Sequence, residues 1–200
     1  MPALARAGSS RRAGMMCGMT TRVLVVCTGN ICRSPAVERL LAAGLTGTDV
    51  EVSSAGTRAM RGDAMSPPMA ALVGAAGAVA DGFVARQLTS ALVRDSSLVL
   101  ALTRQHRAAV VELEPAAVRR TFTLRELARL AAAVDPERLP DGTAGERLLA
   151  LIPLAAAQRA AASPGDDDVV DPYGGPPSLY QRSFDELYGP TRQLVELLTR

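Results

Sequence analysis

The chain has 200 residues and a mass of 20.9 kDa, which fits one globular domain and argues against a multidomain assembly. Its longest apolar runs are about ten residues, well short of the roughly 20 needed to cross a bilayer, so we expect a soluble protein. The formal net charge is +2, but residues 1–22 hold four arginines and no acid, and the other 178 residues carry 18 arginines against 20 acids. The basic character therefore belongs to the start of the chain and gives little reason to expect nucleic acid as a partner.

Short apolar runs alternate with helical stretches from residue 22 onward. The predicted strands are Arg22–Cys27, Val50–Ser54, Leu98–Leu102 and Val118–Phe122. The predicted helices between and after them are Ser34–Leu45, Pro68–Val79, Thr89–Val93 and Arg104–Glu114. Alternation of strand and helix predicts an α/β fold with a parallel sheet and right-handed crossovers.

The two ends of the chain and one internal segment depart from this rhythm. Residues 1–21 are predicted to be a disordered, Arg-rich tail, since a transit peptide or a secretory signal fits the pattern less well. Residues at about 131–165 are predicted to be an insertion, part loop and part helix over Glu146–Ala161. The chain ends in a predicted helix, Ser178–Thr199, with a break at Gly189-Pro190.

Cysteine and histidine are rare in this sequence. Three cysteines, Cys17, Cys27 and Cys32, are too few for a disulfide scaffold, and their surroundings predict a reduced, cytoplasmic protein. The one histidine, His106, rules out a clustered histidine metal site. It lies on a predicted helix between arginines, and we expect it at the surface.

The most informative stretch joins the first strand to the first helix, and it reads Cys27-Thr28-Gly29-Asn30-Ile31-Cys32-Arg33-Ser34-Pro35. Backbone N–H groups of such a loop converge with the free N–H groups of the helix N-terminus, which makes an anion site. Arg33 can add a bidentate fork to a tetrahedral oxyanion. The same positive field favours the thiolate form of Cys27, to which Ser34 can donate a hydrogen bond. The bland alternative is a buried cysteine with an incidental arginine.

This loop resembles the active-site loop of the low-molecular-weight protein tyrosine phosphatases. Later segments resemble that family's motifs in the same order, namely Ser53–Thr57, Gly62–Pro67, Ala85–Thr89 and Asp171–Gly174. The resemblance implies a single phosphatase domain over 22–200 with a four-stranded parallel sheet flanked by helices, doubly wound and flavodoxin-like. It also implies hydrolysis of phosphomonoesters through a cysteinyl-phosphate, with no cofactor and no metal.

The family's functional residues carry over by position. Cys27 is similar to the nucleophile, Arg33 to the phosphate clamp, and Asp171 to the general acid that later acts as base. The phosphate-binding loop would comprise Thr28, Gly29, Asn30, Ile31, Cys32 and Arg33. Ser34 resembles the hydrogen-bond partner of the thiolate, Ser54 and Asn30 resemble the pair that holds the loop, and Tyr173 resembles the aromatic wall for the substrate ring.

Several of these assignments have alternatives. Asp135 and the acidic run 166–168 compete with Asp171 for the role of general acid, but Asp171 is the aspartate followed by Pro-Tyr-Gly. Tyr173 could instead be a core residue. Cys32 is open between a protective disulfide with Cys27 and a small buried side chain.

Two positions bear on rate and specificity. Phe83 stands where many family members have a histidine, so one support of the loop is expected to be missing. Ile31 stands where the arginine-phosphatase branch has a threonine, so the resemblance predicts phosphotyrosine over phosphoarginine. The expected partner is a phosphotyrosine protein, with a bacterial tyrosine kinase as one candidate.

Three alternative functions share this loop or its scaffold. Protein-arginine phosphatase uses the same loop. Thioredoxin-coupled arsenate reductase also shares it, but needs further cysteines downstream, and none follows Cys32. A non-catalytic phosphoprotein-binding module would need neither the thiol of Cys27 nor the carboxyl group of Asp171.

Overall fold

The computed structural model describes residues 20–160 and 165–200. Its centre is one sheet of four parallel strands in the order β2-β1-β3-β4. The strands are β1 (Thr21–Cys27), β2 (Val50–Gly56), β3 (Leu98–Ala101) and β4 (Thr121–Thr123). This agrees with the expected α/β class and with the flavodoxin-like strand order.

Helices lie on both faces of the sheet. The α-helices are α1 (Arg33–Gly44), α2 (Pro67–Ala75), α3 (Ser90–Arg94), α4 (Arg104–Leu113), α5 (Leu124–Ala132), α6 (Ala144–Gln158) and α7 (Pro177–Leu198). Short 3-10 helices cover Pro115–Arg120 and Pro136–Arg138. In the described ranges, no helix has both the length and the apolar character of a membrane span.

Alternate residues of β1 pack on opposite faces of the sheet. Val23 and Val25 belong to the large apolar cluster that also receives α1, α5, α6 and α7. Leu24 and Val26 belong to a smaller cluster that includes Val93 of α3 and other apolar residues of that face. A strand buried on both sides reads as a continuous apolar run, which is why β1 was predicted almost to the residue.

The strand order brings the carboxyl ends of β1 and β3 side by side. The chain leaves β1 toward β2 on one side and leaves β3 toward β4 on the other, which opens a crevice where ligands bind in such folds. Cys27 is the last residue of β1. The amide of Val169 donates to the carbonyl of Leu102, 2.9 Å away, so the segment leading to Asp171 reaches the same crevice.

Two predicted elements were wrong in detail. The fourth strand was expected over Val118–Phe122, but Pro115 opens a 3-10 helix that runs to Arg120, so the strand begins at Thr121. The break expected at Gly189-Pro190 is absent, because α7 continues through it. Burial of the apolar face of α7 on both sides of the proline offsets the hydrogen bond that Pro190 cannot donate.

The predicted insertion, in its described residues 131–160, packs on the domain. Helix α6 starts at Ala144 with a capping box between Thr143 and Glu146, and it ends before the predicted end at Ala161, which lies outside the described residues. Leu148 and Leu151 are buried in the large cluster. Most of the tail predicted to be disordered, 1–21, also lies outside the described residues.

Candidate active site

The loop from Cys27 to Arg33 is held by its carbonyl groups. The carbonyls of Cys27, Thr28 and Gly29 accept hydrogen bonds of 2.9, 3.0 and 2.9 Å from the amides of 57, 58 and 60 in the segment after β2. Helix α1 then begins at Arg33 with no side-chain cap from Cys32. A loop whose carbonyls bond outward at an uncapped helix N-terminus can present its N–H groups to an anion.

Asn30 fixes the shape of this loop. Its φ is 57°, in the left-handed region that non-glycine residues rarely adopt. The side chain compensates with three hydrogen bonds, because Nδ2 donates to Oγ of Ser34 (2.9 Å) and Oγ of Ser54 (2.8 Å), and Oδ1 accepts from the amide of Arg86 (2.8 Å). Ser54 in turn donates to Oε2 of Glu38 at 2.6 Å. The predicted Asn30–Ser54 contact is therefore present.

The Cys27 sulfur lies at the centre of this arrangement. Sγ is buried, 2.9 Å from Oγ of Ser34 and 3.3 Å from the amide of Asn30. Because Oγ of Ser34 already accepts from Asn30, its own proton is free to be donated to the sulfur. Both groups are therefore placed to donate a hydrogen bond to the sulfur.

Arg33 forms part of the floor of the cavity, and its guanidinium is almost completely buried. Nη1 donates to the carbonyl of Val169 at 3.1 Å, and Nη2 donates to Oδ2 of Asp171 at 2.5 Å. Nε is buried and has no hydrogen-bond partner within the described residues. A buried N–H without a partner among the described residues, on a side chain that lines the same cavity as Cys27, is suited to bind an oxyanion.

The predicted residues meet at one cavity of about 280 Å³. Its lining includes Cys27, Thr28, Gly29, Ile31, Cys32, Arg33, Arg58, Met60, Asp171 and Tyr173. Tyr173 is 61% exposed, so it is a rim residue and not a core residue. Asn30, Ser34 and Ser54 lie behind the loop and support it.

The rival acids lie away from this cavity. Asp135 caps a 3-10 helix by accepting from the amide of Glu137. The aspartates of the run 166–168 are each paired with an arginine, as Asp166–Arg125, Asp167–Arg129 and Asp168–Arg104. Asp171 is the aspartate that lines the cavity.

His106 was expected at the surface, and that prediction was wrong. The ring is 5% exposed, and its nitrogens lie 2.8 Å from Oγ1 of Thr28 and 2.9 Å from Oγ1 of Thr103. Burial and the nearby charge of Arg33 lower the pKa of His106 to about 4, so the ring is neutral at ordinary pH. The available signal was Thr103 three residues earlier, which caps α4 and holds the ring inward.

Cys32 and Phe83 are both buried. Cys27 and Cys32 are free thiols, and burial raises the pKa of the Cys32 thiol. A disulfide between them under oxidation stays a prediction. Phe83 packs in the core, with the guanidinium of Arg39 5.7 Å from its ring centre. Because its side chain has no polar group, it cannot donate a hydrogen bond to the loop as a histidine could. Glu38, which the sequence analysis did not single out, supports Ser54 instead.

Comparison with known proteins agrees with this geometry. A profile described as "Low molecular weight phosphotyrosine protein phosphatase" matches residues 22–141. The probable low molecular weight protein-tyrosine-phosphatase AmsI of Erwinia amylovora is 39% identical over 97 residues, which cover 48% of this chain and 66% of that protein. For Wzb of Salmonella typhi the identity is 36%, over 48% of this chain and 64% of that protein. These alignments thus span slightly less than two thirds of the relatives' own length.

Longer matches exist as well. The protein-arginine-phosphatase of Geobacillus stearothermophilus is 32% identical over 181 residues, covering 90% of this chain and 97% of that protein. The crystal structure of Erwinia amylovora AmsI superposes with a TM-score of 0.67 at 25% identity, over 91% of this chain and 95% of that one. The YwlE arginine phosphatase of Geobacillus stearothermophilus superposes at 0.65, with 31% identity over 88% and 91%. The chain therefore belongs to the low molecular weight phosphotyrosine protein phosphatase family.

Proposed function

We propose that this protein hydrolyses phosphotyrosine in proteins through a cysteinyl-phosphate intermediate. The observation that carries the proposal is the meeting of three groups at one cavity, namely the Cys27 sulfur, the Arg33 guanidinium with its unpartnered Nε, and the Asp171 carboxylate. A nucleophile, an oxyanion clamp and a proton donor are what a phosphomonoester needs for cleavage without a metal.

In the first step the Cys27 thiolate attacks phosphorus and the bond from phosphorus to the tyrosine oxygen breaks. The contacts of Cys27 with Ser34 and with the amide of Asn30 hold the sulfur in position for this attack. Asp171 gives its proton to the leaving oxygen. Arg33 binds Asp171 in the free protein, and we infer that an entering phosphate takes over the arginine and releases the carboxyl group to face the leaving oxygen.

In the second step Asp171, now ionised, takes a proton from a water molecule. That water attacks the phosphorus of the cysteinyl-phosphate, the bond between sulfur and phosphorus breaks, and Cys27 returns as thiolate with release of phosphate. The loop amides and Arg33 stabilise the equatorial oxygens in both transition states. Half of the Asp171 side chain is exposed, which lets water reach it from the mouth of the cavity.

The substrate preference is proposed from the walls of the cavity. Ile31 and Met60 give it an apolar side, and Tyr173 offers an exposed ring at the rim against which an aromatic leaving group can stack. Ile31 has no hydroxyl group with which to position water or a guanidinium. We therefore favour phosphotyrosine over phosphoarginine, although a relative that aligns over 90% of this chain is named a protein-arginine-phosphatase.

We propose that the substrate is a cytoplasmic phosphotyrosine protein, with a bacterial tyrosine kinase as a candidate. The two free thiols at the cavity support a reducing compartment, since oxidation would consume the nucleophile. Curated relatives named as tyrosine phosphatases from Salmonella and Escherichia coli are consistent with a bacterial signalling substrate.

The experiment that tests the proposal is a panel of matched peptides carrying phosphotyrosine, phosphoarginine or phosphoserine. We expect the highest kcat/KM on phosphotyrosine and no turnover by the Cys27→Ser variant, which should still bind inorganic phosphate. A higher kcat/KM on phosphoarginine would transfer the assignment to the second candidate, protein-arginine phosphatase. Tight binding of a phosphotyrosine peptide by the wild type without any turnover would contradict both.

A further inference from the structure

The imidazole of His106 links β3 to the phosphate-binding loop. Nδ1 lies 2.9 Å from Oγ1 of Thr103, the residue that caps α4, and Nε2 lies 2.8 Å from Oγ1 of Thr28, the residue after the nucleophile. The ring is buried, whereas Thr28 lines the cavity beside Cys27 and Arg33. A buried imidazole therefore contacts the hydroxyl group of a residue that lines the cavity.

The hydrogen bonds around Thr103 indicate where the imidazole proton lies. Oγ1 of Thr103 accepts from the backbone N–H of His106 at 3.2 Å. Within the described residues, Nδ1 of His106 is the one acceptor for the hydroxyl proton of Thr103. If Thr103 donates to Nδ1, then Nε2 carries the ring proton and donates to Thr28. In the opposite tautomer Nδ1 carries the ring proton and donates to Thr103, and the Thr28 hydroxyl group donates to Nε2. The hydroxyl proton of Thr103 then has no acceptor within the described residues. Within the described residues each arrangement leaves one threonine proton without an acceptor. In the first arrangement that proton belongs to Thr28, which lines the cavity and can donate to a bound phosphate, and this favours the first arrangement.

In that arrangement the Thr28 hydroxyl group accepts from His106 and keeps its own proton. The backbone of Thr28 cannot turn away, because its carbonyl accepts from the amide of Arg58 at 3.0 Å. We propose that the Thr28 hydroxyl donates a hydrogen bond to the substrate phosphate, and that His106 is the positioning residue that aims it. This inference deepens the proposed function, on which it rests, and adds a side-chain donor to the backbone N–H groups of the loop.

The charges that face His106 fit this role. Burial and the charge of Arg33 lower the pKa of His106 to about 4, against the opposing effect of Asp171 and Asp168. The ring therefore stays neutral, with one N–H and one acceptor, and so holds a fixed polarity across the pH range in which a cysteine phosphatase would work. A charged imidazole would donate from both nitrogens and would leave the Thr103 proton without an acceptor.

The first test uses inorganic phosphate as the probe. Its binding is measured by calorimetry and as competitive inhibition of p-nitrophenyl phosphate hydrolysis. We expect Thr28→Val to weaken phosphate about tenfold or more, which is the usual effect of losing a hydrogen bond to a charged group, and Thr28→Ser to restore it. The control is Thr191→Val, which removes a buried hydroxyl of α7 that donates to Leu187. Equal phosphate binding by Thr28→Val and the wild type would overturn the proposal.

The second test asks whether His106 acts through Thr28. We expect His106→Leu to weaken phosphate binding severalfold in the wild-type background. In the Thr28→Val background we expect it to change phosphate binding by less than about twofold. Equal effects in the two backgrounds would mean that His106 only supports the fold, and would overturn its assignment as a positioning residue. If His106→Leu does not fold, Thr103→Val removes the donor to Nδ1 and the same cycle is read with that variant.

The calorimetric arm separates this inference from the proposed function. A wild type that binds phosphate through Thr28 but hydrolyses no phosphomonoester would leave the inference standing and contradict the proposed function. A wild type that hydrolyses phosphotyrosine while Thr28→Val binds phosphate normally would leave the proposed function standing and contradict the inference.

Discussion

Arg33 and Asp171 are 138 residues apart in the chain, yet Nη2 of the arginine donates to Oδ2 of the aspartate at 2.5 Å. The two side chains differ in exposure, since 5% of the arginine side chain and 49% of the aspartate side chain are accessible. The cation thus lies at the floor of the cavity and the carboxylate at its mouth. This arrangement suits a phosphate bound at the floor with its leaving group at the mouth of the cavity.

The first prediction concerns the general acid. Replacing Asp171 with Asn should lower kcat by roughly 10²- to 10⁴-fold with a phosphotyrosine peptide, because the leaving oxygen loses its proton donor. The loss should be smaller with p-nitrophenyl phosphate, whose leaving group needs less protonation. Steady-state kinetics with both substrates measure the difference. Asp135→Asn is the matched control, and a comparable loss in that variant would contradict the assignment of Asp171.

The second prediction concerns the support of the loop. Ser54→Ala removes the acceptor for Asn30 and the donor to Glu38, so the left-handed residue loses one of its three hydrogen bonds. We expect a fall in kcat of about tenfold and a fall in the free energy of unfolding of about 1–2 kcal/mol. Kinetics and urea unfolding measure the two quantities.

Its control is Ser96→Ala, which removes another buried serine whose hydroxyl donates to the carbonyl of Leu92 at 2.7 Å, away from the cavity. That variant should lose similar stability and keep its activity. If Ser54→Ala also keeps full activity, the loop does not depend on Ser54.

The part of this site that the sequence could predict is local. Cys27 to Pro35 join a buried strand to a helix, and this context, which the spacing of cysteine and arginine alone would not supply, predicts an anion loop in which Asn30, Ser34 and Arg33 are where the pattern needs them. What the sequence could not predict depends on distant neighbours. The partner of His106 is Thr28, 78 residues away, and a lone histidine between arginines looks like a surface residue until β3 is paired with β1.

Helix α5 was missed for a different reason. Thr123 and Glu126 form a capping box, a pattern that is visible in the sequence just before an apolar run, but the prediction assigned no element to residues 123–130, before the insertion expected from about 131. The opposite error affected α7, where Gly189-Pro190 predicted a break. A proline stops a helix only when nothing else holds it, and here Leu187 and Leu194 are buried on either side.

The third prediction concerns the acidic run before Asp171. Asp167 accepts from Arg129 at 3.1 and 3.2 Å, and Arg125 donates to the carbonyl of Asp168 at 2.8 Å, so α5 holds the segment that carries the acid. Arg129→Ala should lower kcat severalfold with little change in KM, because Arg33 keeps its place. Added salt should lower the kcat of the wild type in the same direction.

The control for this prediction is Arg192→Ala, which breaks an exposed pair with Glu196 on α7. It should leave kcat, KM and their salt dependence unchanged, as exposed pairs contribute little. A rise in KM that matches the fall in kcat/KM of Arg129→Ala would mean that the pair supports binding and not the acid.

The fourth prediction compares two glycines. A Cβ on Gly56 would collide with the carbonyl oxygen of Thr28 and lie 3.1 Å from Cα of Ala59, so Gly56→Ala must move the loop. A Cβ on Gly74 in α2 meets nothing within 4 Å. We expect Gly56→Ala to lose most activity and stability, and Gly74→Ala to keep its activity and gain up to about 1 kcal/mol from helix propensity. Thermal unfolding and kinetics of the two variants measure this, and an active Gly56→Ala would show that the loop tolerates displacement.

The fifth prediction concerns specificity and the apolar wall. Ile31 is a buried residue of the predicted phosphate-binding loop, and the family resemblance implies a threonine at this position in the arginine-phosphatase branch. Ile31→Thr should raise the ratio of kcat/KM for phosphoarginine over phosphotyrosine by about tenfold, because the hydroxyl can position a water or a guanidinium where the isoleucine cannot. Ile31→Val, which shortens the side chain without adding a hydroxyl, is the control and should leave the ratio unchanged. An equal shift in both variants would attribute specificity to the size of residue 31, since a smaller side chain alone would then widen the cavity enough to admit the arginine.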